Sequence, residues 1–163
     1  MLRTTIDLDA IAHNTRRLRE QTSAELMCVV KADAYNHGVE RCVPVMEAGG
    51  ADAFGVATFA EARRVRELTT KPVLAWLWDP QEELPAGVDV GVPSFTHLQS
   101  LIDAPTAPTA YLKVDTGMHR SGIDEVRWQE AFELALDAQR KGKLTVAGLM
   151  THLSCADDPA DPY

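Results

Sequence analysis

Residues 26–38 read LMCVVKADAYNHG, and this stretch constrains the fold more than any other part of the chain. Five consecutive apolar residues come first. An apolar run of this length without alternation is typical of a parallel strand that is buried on both faces. Lys31 ends the run, and a cluster of polar residues follows it directly. The stretch therefore predicts a buried strand whose carboxyl end carries a lysine.

Short apolar runs alternate with helical patterns on both sides of this stretch. Strands are predicted at residues 26–30, 53–57, 72–77, 88–92, 110–114 and 144–150. Helices are predicted at residues 8–19 with Asp7 as N-cap, at 58–68 with Thr58 as N-cap, after Ser94, and at about 124–140. Strands that are separated by helices indicate βαβ units and a parallel sheet.

The spacing of the strands leaves two parallel architectures open. The six strands start between residues 26 and 145, so the five intervals are about 24 residues each. A (β/α)8 barrel takes about 250 residues, whereas a flavodoxin-like open sheet needs only five or six strands. Length alone favours the open sheet for a chain of 163 residues. The placement of the polar residues favours the barrel.

Composition and charge exclude several classes of protein. The chain is 45% hydrophobic and 25% charged, which is typical of globular domains. Its 16 basic and 24 acidic residues give a net charge of −8, which argues against binding to nucleic acid or to an anionic membrane. No apolar run approaches the roughly 18 residues of a membrane span, and residues 1–5 lack the apolar segment of a signal peptide. The three cysteines match no zinc pattern and predict reduced thiols in a cytoplasmic protein without a metal.

Three polar clusters follow the ends of predicted strands. They are residues 31–38, residues 113–122 (KVDTGMHRSG) and residues 151–158 (THLSCADD). Each cluster alone has an ordinary explanation, such as a lysine that reaches solvent or a Thr-Gly turn. Parallel α/β proteins, however, build their active sites at the carboxyl ends of strands. The three clusters together therefore predict an active site on one rim.

The lysine in the first cluster suggests a particular chemistry. A desolvated lysine amine can form a Schiff base with a carbonyl compound. Tyr35, His37, His152 and Arg120 would suit a planar anionic cofactor such as pyridoxal phosphate. The chain has no GxGxxG, GxxxxGK or GxSxG motif, so nucleotide-binding and serine-hydrolase functions have little support.

Residues 29–38, VVKADAYNHG, resemble the cofactor-lysine signature of the alanine racemases, V-K-A-[DN]-A-Y-G-H-G. Residues 112–120 (LKVDTGMHR), 148–153 (GLMTHL) and 6–14 (IDLDAIAHN) resemble three further segments of that family. The chain differs from the signature at Asn36, where glycine is usual.

The resemblance implies an incomplete (β/α)8 TIM-type barrel with about six parallel strands and intervening helices. Residues 1–163 would be its N-terminal portion, with a strand and a helix in residues 1–25 and six βα units in residues 26–163. The remaining barrel strands and a C-terminal β domain would lie outside this chain. At 24 residues per unit, eight units would extend to about residue 218. With the C-terminal domain that the resemblance also implies, the chain would cover under half of a complete racemase.

The resemblance also implies roles for individual residues. Lys31 would bind pyridoxal 5'-phosphate covalently and act as the base on one face of the amino acid. Arg120 would bind the cofactor and the substrate carboxylate, Tyr35 would contact the cofactor phosphate region, and His152 would line the ring pocket. Lys113 corresponds to a lysine that is often carbamylated in the family, a change that would let it orient Arg120.

The implied function is the interconversion of L- and D-alanine, which supplies D-alanine for peptidoglycan. The family acts as a homodimer in which a tyrosine from the C-terminal domain of the partner is the second base. We therefore expect residues 1–163 alone to be inactive. The alternatives are a non-catalytic fragment or cofactor-binding remnant, and a serine racemase or another amino-acid enzyme, such as a decarboxylase, of the same barrel type.

Overall fold

The computed structural model describes residues 3–158 and 160. The chain forms two compact units. Unit 1 contains the residues up to Trp78 together with Leu84–Val88, and unit 2 contains Asp79–Glu83 and the residues from Asp89 onward. Each unit carries three of the six strands.

Unit 1 alternates helices with short strands. Its elements are α1 (Leu8–Glu20), β1 (Met27–Val29), α2 (Lys31–Asn36), α3 (Val39–Ala48), β2 (Ala53–Val56), α4 (Phe59–Arg66) and β3 (Val73–Ala75). The strands are parallel and neighbours in chain order, with Cys28 opposite Phe54 and Gly55 opposite Leu74. All residues of β2 and β3 are buried, as expected for strands that are covered on both faces.

The predicted helix caps of unit 1 are present. The Asp7 carboxylate accepts a hydrogen bond from the Ala10 N–H at 3.0 Å. Thr58 and Glu61 form a capping box, in which each side chain accepts a backbone N–H of the other residue. These bonds satisfy N–H groups that have no acceptor within the first turn of a helix.

Unit 2 continues the same alternation. It contains β4 (Asp89–Val92), α5 (Phe95–Asp103), β5 (Thr109–Lys113), a 3₁₀ turn (Glu125–Arg127), α6 (Trp128–Arg140) and β6 (Thr145–Met150). The three strands are parallel and neighbours in chain order, and Lys113 lies opposite Met150. The prediction of six parallel strands with intervening helices is confirmed, except that no helix lies in residues 76–88, between β3 and β4.

The structure differs from the sequence prediction in four places. The strand β1 was predicted to be buried on both faces, but Met27 and Cys28 are half-buried and Val29 is exposed. The helix expected at 124–140 begins as a 3₁₀ turn, and α6 starts only at Trp128. Helices α2 and α3 in residues 31–48 were not predicted individually, and α3 forms although it contains Pro44. Among residues 3–25 the structure describes α1 and no strand, because no neighbouring strand bonds to residues 3–7. The domain bounds 1–25 and 26–163 stay predictions.

Among the described residues, no helix has both the length and the apolar character needed to cross a membrane.

Candidate active site

Lys31 lies at the carboxyl end of β1 in unit 1. The preceding residue, Val30, is buried, and its N–H donates to the Gly55 carbonyl of β2 at 2.8 Å. The backbone that leads to the lysine is therefore held by the sheet. The Lys31 side chain itself is partly exposed, and its Nζ lies 5.7 Å from the centroid of the Tyr35 ring.

Helix α2, which begins at Lys31, is left-handed over most of its length. Residues 32–35 all have φ between 51° and 57° and ψ between 42° and 50°. A left-handed conformation costs roughly 1–2 kcal/mol for each residue with a side chain. Residues four apart fall on the same side of such a turn, which brings Tyr35 next to Lys31. The tyrosine ring is 56% exposed and remains accessible to a ligand.

Asp33 and Asn36 both lie in this left-handed turn. The Asp33 carboxylate accepts a hydrogen bond from the Val39 N–H at 3.0 Å and pairs with Arg64 at 3.1 Å. Asn36, which stands where glycine is usual, adopts φ of 65°. Asn tolerates this region better than other non-glycine residues, so the turn keeps its course without the glycine.

Lys113 occupies the equivalent position at the end of β5 in unit 2, but its surroundings are different. The residue is only 7% exposed, and its Nζ donates to the Ser121 carbonyl. Burial is the main cause that lowers the pKa of this amine, and the nearby positive charge of Arg120 adds to it, while Asp115 opposes both. A buried lysine with a lowered pKa carries a larger neutral fraction than an exposed one.

Arg120 lies on a turn that Asp115 holds in place. One carboxylate oxygen of Asp115 accepts hydrogen bonds from the N–H groups of Gly117 and His119, each at 3.0 Å. These backbone donors lower the pKa of Asp115, so the carboxylate stays charged at neutral pH. Gly122 closes the turn with φ of 136°, and a Cβ there would lie 2.7 Å from the Asp115 nitrogen. The Arg120 side chain is exposed beyond this turn.

His152 follows β6, the strand next to β5, and is exposed. The residue before it, Thr151, ties the two strand ends together. Its hydroxyl donates to the Val114 carbonyl at 2.9 Å and lies 2.8 Å from the Thr116 hydroxyl. Unit 2 therefore places Lys113, Arg120 and His152 after the carboxyl ends of two neighbouring strands, as predicted from the second and third clusters.

A pocket of about 380 Å³ lies beside the Asp115 turn in unit 2. Its lining residues are Asp115, Thr116, Gly117, His119, Asp124, Glu125 and Trp128. Arg120 and His152 are not among them. The three carboxylates make this pocket a poor place for the phosphate of an anionic cofactor. No group of three or more potential metal ligands occurs among the described residues.

One residue of the site was missed by the sequence analysis. Glu61 was recognised neither as a site residue nor as a contact of the lysine turn, yet its Oε1 accepts the Ala32 N–H at 2.8 Å. The T-x-x-E pattern of residues 58–61 signals a helix start. Nothing in that local pattern indicates a contact with a residue 29 positions away.

Comparison with known proteins identifies relatives over nearly the whole chain. Residues 6–163 match the family model described as "Alanine racemase, N-terminal domain". An alanine racemase of Corynebacterium efficiens is 52% identical over 99% of this chain and 46% of its own length. The chain thus spans about half the length of the curated relatives it matches.

Solved structures give the same result. The crystal structure of alanine racemase from Corynebacterium glutamicum is 47% identical, with a TM-score of 0.89 over 96% of this chain and 46% of that one. The alanine racemase of Bartonella henselae with covalently bound pyridoxal phosphate is 22% identical, with a TM-score of 0.77 over 96% of this chain and 46% of that one. At that identity the second likeness shows the fold alone.

Proposed function

The chain belongs to the alanine racemase family through its N-terminal domain, and from this membership we propose that the complete protein interconverts L- and D-alanine. The reaction would supply D-alanine for peptidoglycan. The observation that carries the proposal is the partly exposed Lys31 just after the parallel strand β1, with the Tyr35 ring 5.7 Å from its amine.

The described residues fit pyridoxal 5'-phosphate as cofactor. The Lys31 amine is accessible, the Tyr35 hydroxyl can donate to a phosphate oxygen, and the exposed Arg120 offers a planar cation to anionic oxygens. The Bartonella henselae structure, which shares the fold, holds this cofactor covalently. When bound, the cofactor supplies a carbonyl carbon for the lysine amine and a ring that withdraws electrons as the substrate α-proton leaves.

Each residue of the site then has a definite task. Lys31 binds the cofactor and moves the α-proton on one face of the substrate. Arg120 donates hydrogen bonds to the cofactor and the substrate carboxylate, and His152 lines the ring pocket. Lys113, as a carbamate, would carry a negative charge that orients Arg120, and its buried amine with a lowered pKa is suited to that modification because CO₂ reacts with the unprotonated form.

We also propose a homodimer in the cytoplasm. The three cysteines form no disulfide within the described residues, which agrees with a reducing compartment. Proton transfer on the opposite face needs a second base, which the resemblance to the family assigns to a tyrosine of the partner subunit. The partner subunit would supply it, so residues 1–163 expressed alone should not racemise alanine.

Borohydride labelling of the complete protein tests the assignment. The protein is incubated with pyridoxal phosphate, reduced and digested, and the labelled peptide is identified by mass spectrometry. We expect the label on Lys31, and D-alanine to form from L-alanine in a parallel assay. A label on Lys113 instead, or no labelled lysine, contradicts the assignment. Faster turnover of L-serine than of L-alanine would instead identify a serine racemase.

A further inference from the structure

Glu61 makes a set of contacts that helix capping alone does not explain. Its Oε2 accepts the N–H groups of Ala57 and Thr58, at 2.9 and 3.0 Å, and the bond from Thr58 is the one expected of a capping box. Its other oxygen, Oε1, reaches away from α4 and accepts the N–H of Ala32 at 2.8 Å. One carboxylate thus joins the start of α4 to the residue that follows Lys31.

The left-handed turn needs such an external restraint. Residues 32–35 all have side chains and all occupy the left-handed region, which each of them disfavours. At the far end of the turn, Asp33 accepts the Val39 N–H and pairs with Arg64. At the start of the turn, next to Lys31, the first N–H groups have no acceptor within the turn itself. Glu61 supplies the acceptor for the N–H of Ala32.

The charge state of Glu61 suits this task. Burial by itself raises the pKa of Glu61, but the N–H donors of Ala32, Thr58 and Ala57 outweigh it and leave the pKa below its ordinary value. The side chain is therefore a carboxylate at neutral pH, with both oxygens available as acceptors. Hydrogen bonds to a charged acceptor are also stronger than those to a neutral one.

We propose that Glu61 is a positioning residue for Lys31. Its carboxylate fixes the backbone of Ala32 and thereby sets the direction in which the Lys31 amine leaves the end of β1. This inference rests on the proposed function, because it takes Lys31 as the residue that binds the cofactor. In this role Glu61 acts through the backbone of Ala32.

The variant Glu61→Gln separates the two roles of this side chain. Gln also forms capping boxes, so its carbonyl oxygen can keep the bonds from Ala57 and Thr58. The NH₂ group of the glutamine then lies opposite the Ala32 N–H. Both groups are hydrogen-bond donors, so the bond from Ala32 is lost. The matched control is Thr58→Ala, which removes the hydroxyl that caps the Glu61 N–H at 3.3 Å and leaves both carboxylate oxygens in place.

Three measurements on the complete protein are made for wild type and both variants. They are amide exchange at Ala32 without cofactor, the pyridoxal phosphate concentration that half-saturates borohydride labelling of Lys31, and the melting temperature. For Glu61→Gln we expect faster exchange at Ala32, about a tenfold or greater increase in the half-saturating concentration, and a melting temperature close to that of wild type. For Thr58→Ala we expect a lower melting temperature with labelling within twofold of wild type.

Several outcomes would overturn the inference. If Glu61→Gln shows the same amide exchange at Ala32 as wild type, or the same borohydride labelling of Lys31, the contact between Glu61 and Ala32 does not position the lysine. If Thr58→Ala weakens the labelling of Lys31 as well as lowering the melting temperature, the role of Glu61 is limited to helix capping. If wild type itself is not labelled at Lys31, the proposed function fails and the inference fails with it. If wild type is labelled and Glu61→Gln behaves like it, the inference alone fails.

Discussion

Lys31 and Lys113 occupy the same place in two βα units, yet their surroundings differ. Each lysine comes at the carboxyl end of a parallel strand. Lys31 opens a left-handed turn and is partly exposed beside an accessible tyrosine ring, whereas Lys113 is 7% exposed and donates to a backbone carbonyl. Position in the fold therefore does not define the chemistry of a lysine. Exposure and the groups around the amine define it.

The largest expected effect comes from removing the exposed lysine. Lys31→Ala should lower the racemase activity of the complete protein by at least about 10³-fold, because it removes both the covalent attachment point and the base on one face. Steady-state kinetics with L-alanine measures the loss. Lys143→Ala, at an exposed lysine in unit 2, is the control and should retain full activity. Activity near that of wild type in Lys31→Ala would show that Lys31 is not the catalytic lysine, and the proposed difference between Lys31 and Lys113 would fail.

The next effect concerns the cation beside the buried lysine. Arg120→Lys keeps the positive charge but loses the planar group that serves two acceptors at once. We expect kcat to fall by about 10- to 100-fold while the cofactor stays bound, as seen in the absorbance of the holoenzyme. Arg140→Lys, at an exposed arginine of α6, provides the comparison. If Arg120→Lys has normal kinetics, then Arg120 has a structural role only.

The buried lysine should show its own chemistry in a spectrum. CO₂ forms a carbamate only with the neutral amine. Because the pKa of Lys113 is lowered, a larger fraction of this amine is neutral at pH values between its folded pKa and the ordinary lysine value near 10.4. With ¹³C-bicarbonate, we expect a carbamate signal in the NMR spectrum that strengthens as pH rises towards that range. The signal should persist in Lys31→Ala and vanish in Lys113→Ala. A signal that follows Lys31 instead would reverse the assignment of the two lysines.

The same depressed pKa has a consequence for stability. The unfolded chain binds a proton at Lys113 over a pH range in which the folded chain does not, so the free energy of unfolding should rise with pH through that range. The replacement Lys113→Met removes this dependence. Urea denaturation of the wild type and of Lys113→Met at several pH values measures this dependence. The free energy of unfolding should rise more steeply with pH in the wild type. Equal slopes of that free energy against pH would show that burial does not shift the pKa of Lys113.

The smallest effect is expected at Asn36, in the turn that carries Lys31. Asn36→Gly restores the residue usual in the family at φ of 65°. Glycine relieves the strain of the left-handed conformation but loses more conformational entropy on folding, so the two contributions nearly cancel. We expect the free energy of unfolding to change by less than about 1 kcal/mol, with unchanged labelling of Lys31. A larger loss of stability would show that the Asn36 side chain itself holds the turn.

Much of the fold could be predicted from local sequence patterns. The apolar run at residues 26–30 predicts β1, and Asp7 and Thr58 predict the starts of α1 and α4, as the structure confirms. These features depend on residues within a few positions of each other, where periodicity and capping act. The motif at residues 29–38 also identifies Lys31 as the candidate cofactor lysine, because its residues are contiguous.

Tertiary structure alone decided three features of the site. These are the left-handed course of residues 32–35, the bond from Ala32 to Glu61, and the burial that lowers the pKa of Lys113. Ala-Asp-Ala-Tyr has no intrinsic preference for a left-handed turn, and its conformation persists because Glu61 and Arg64, from distant parts of unit 1, hold it. The pKa of Lys113 depends on how much water its neighbours exclude. Capping and periodicity are short-range effects that a sequence displays, whereas burial and long-range hydrogen bonds exist only after the chain has folded.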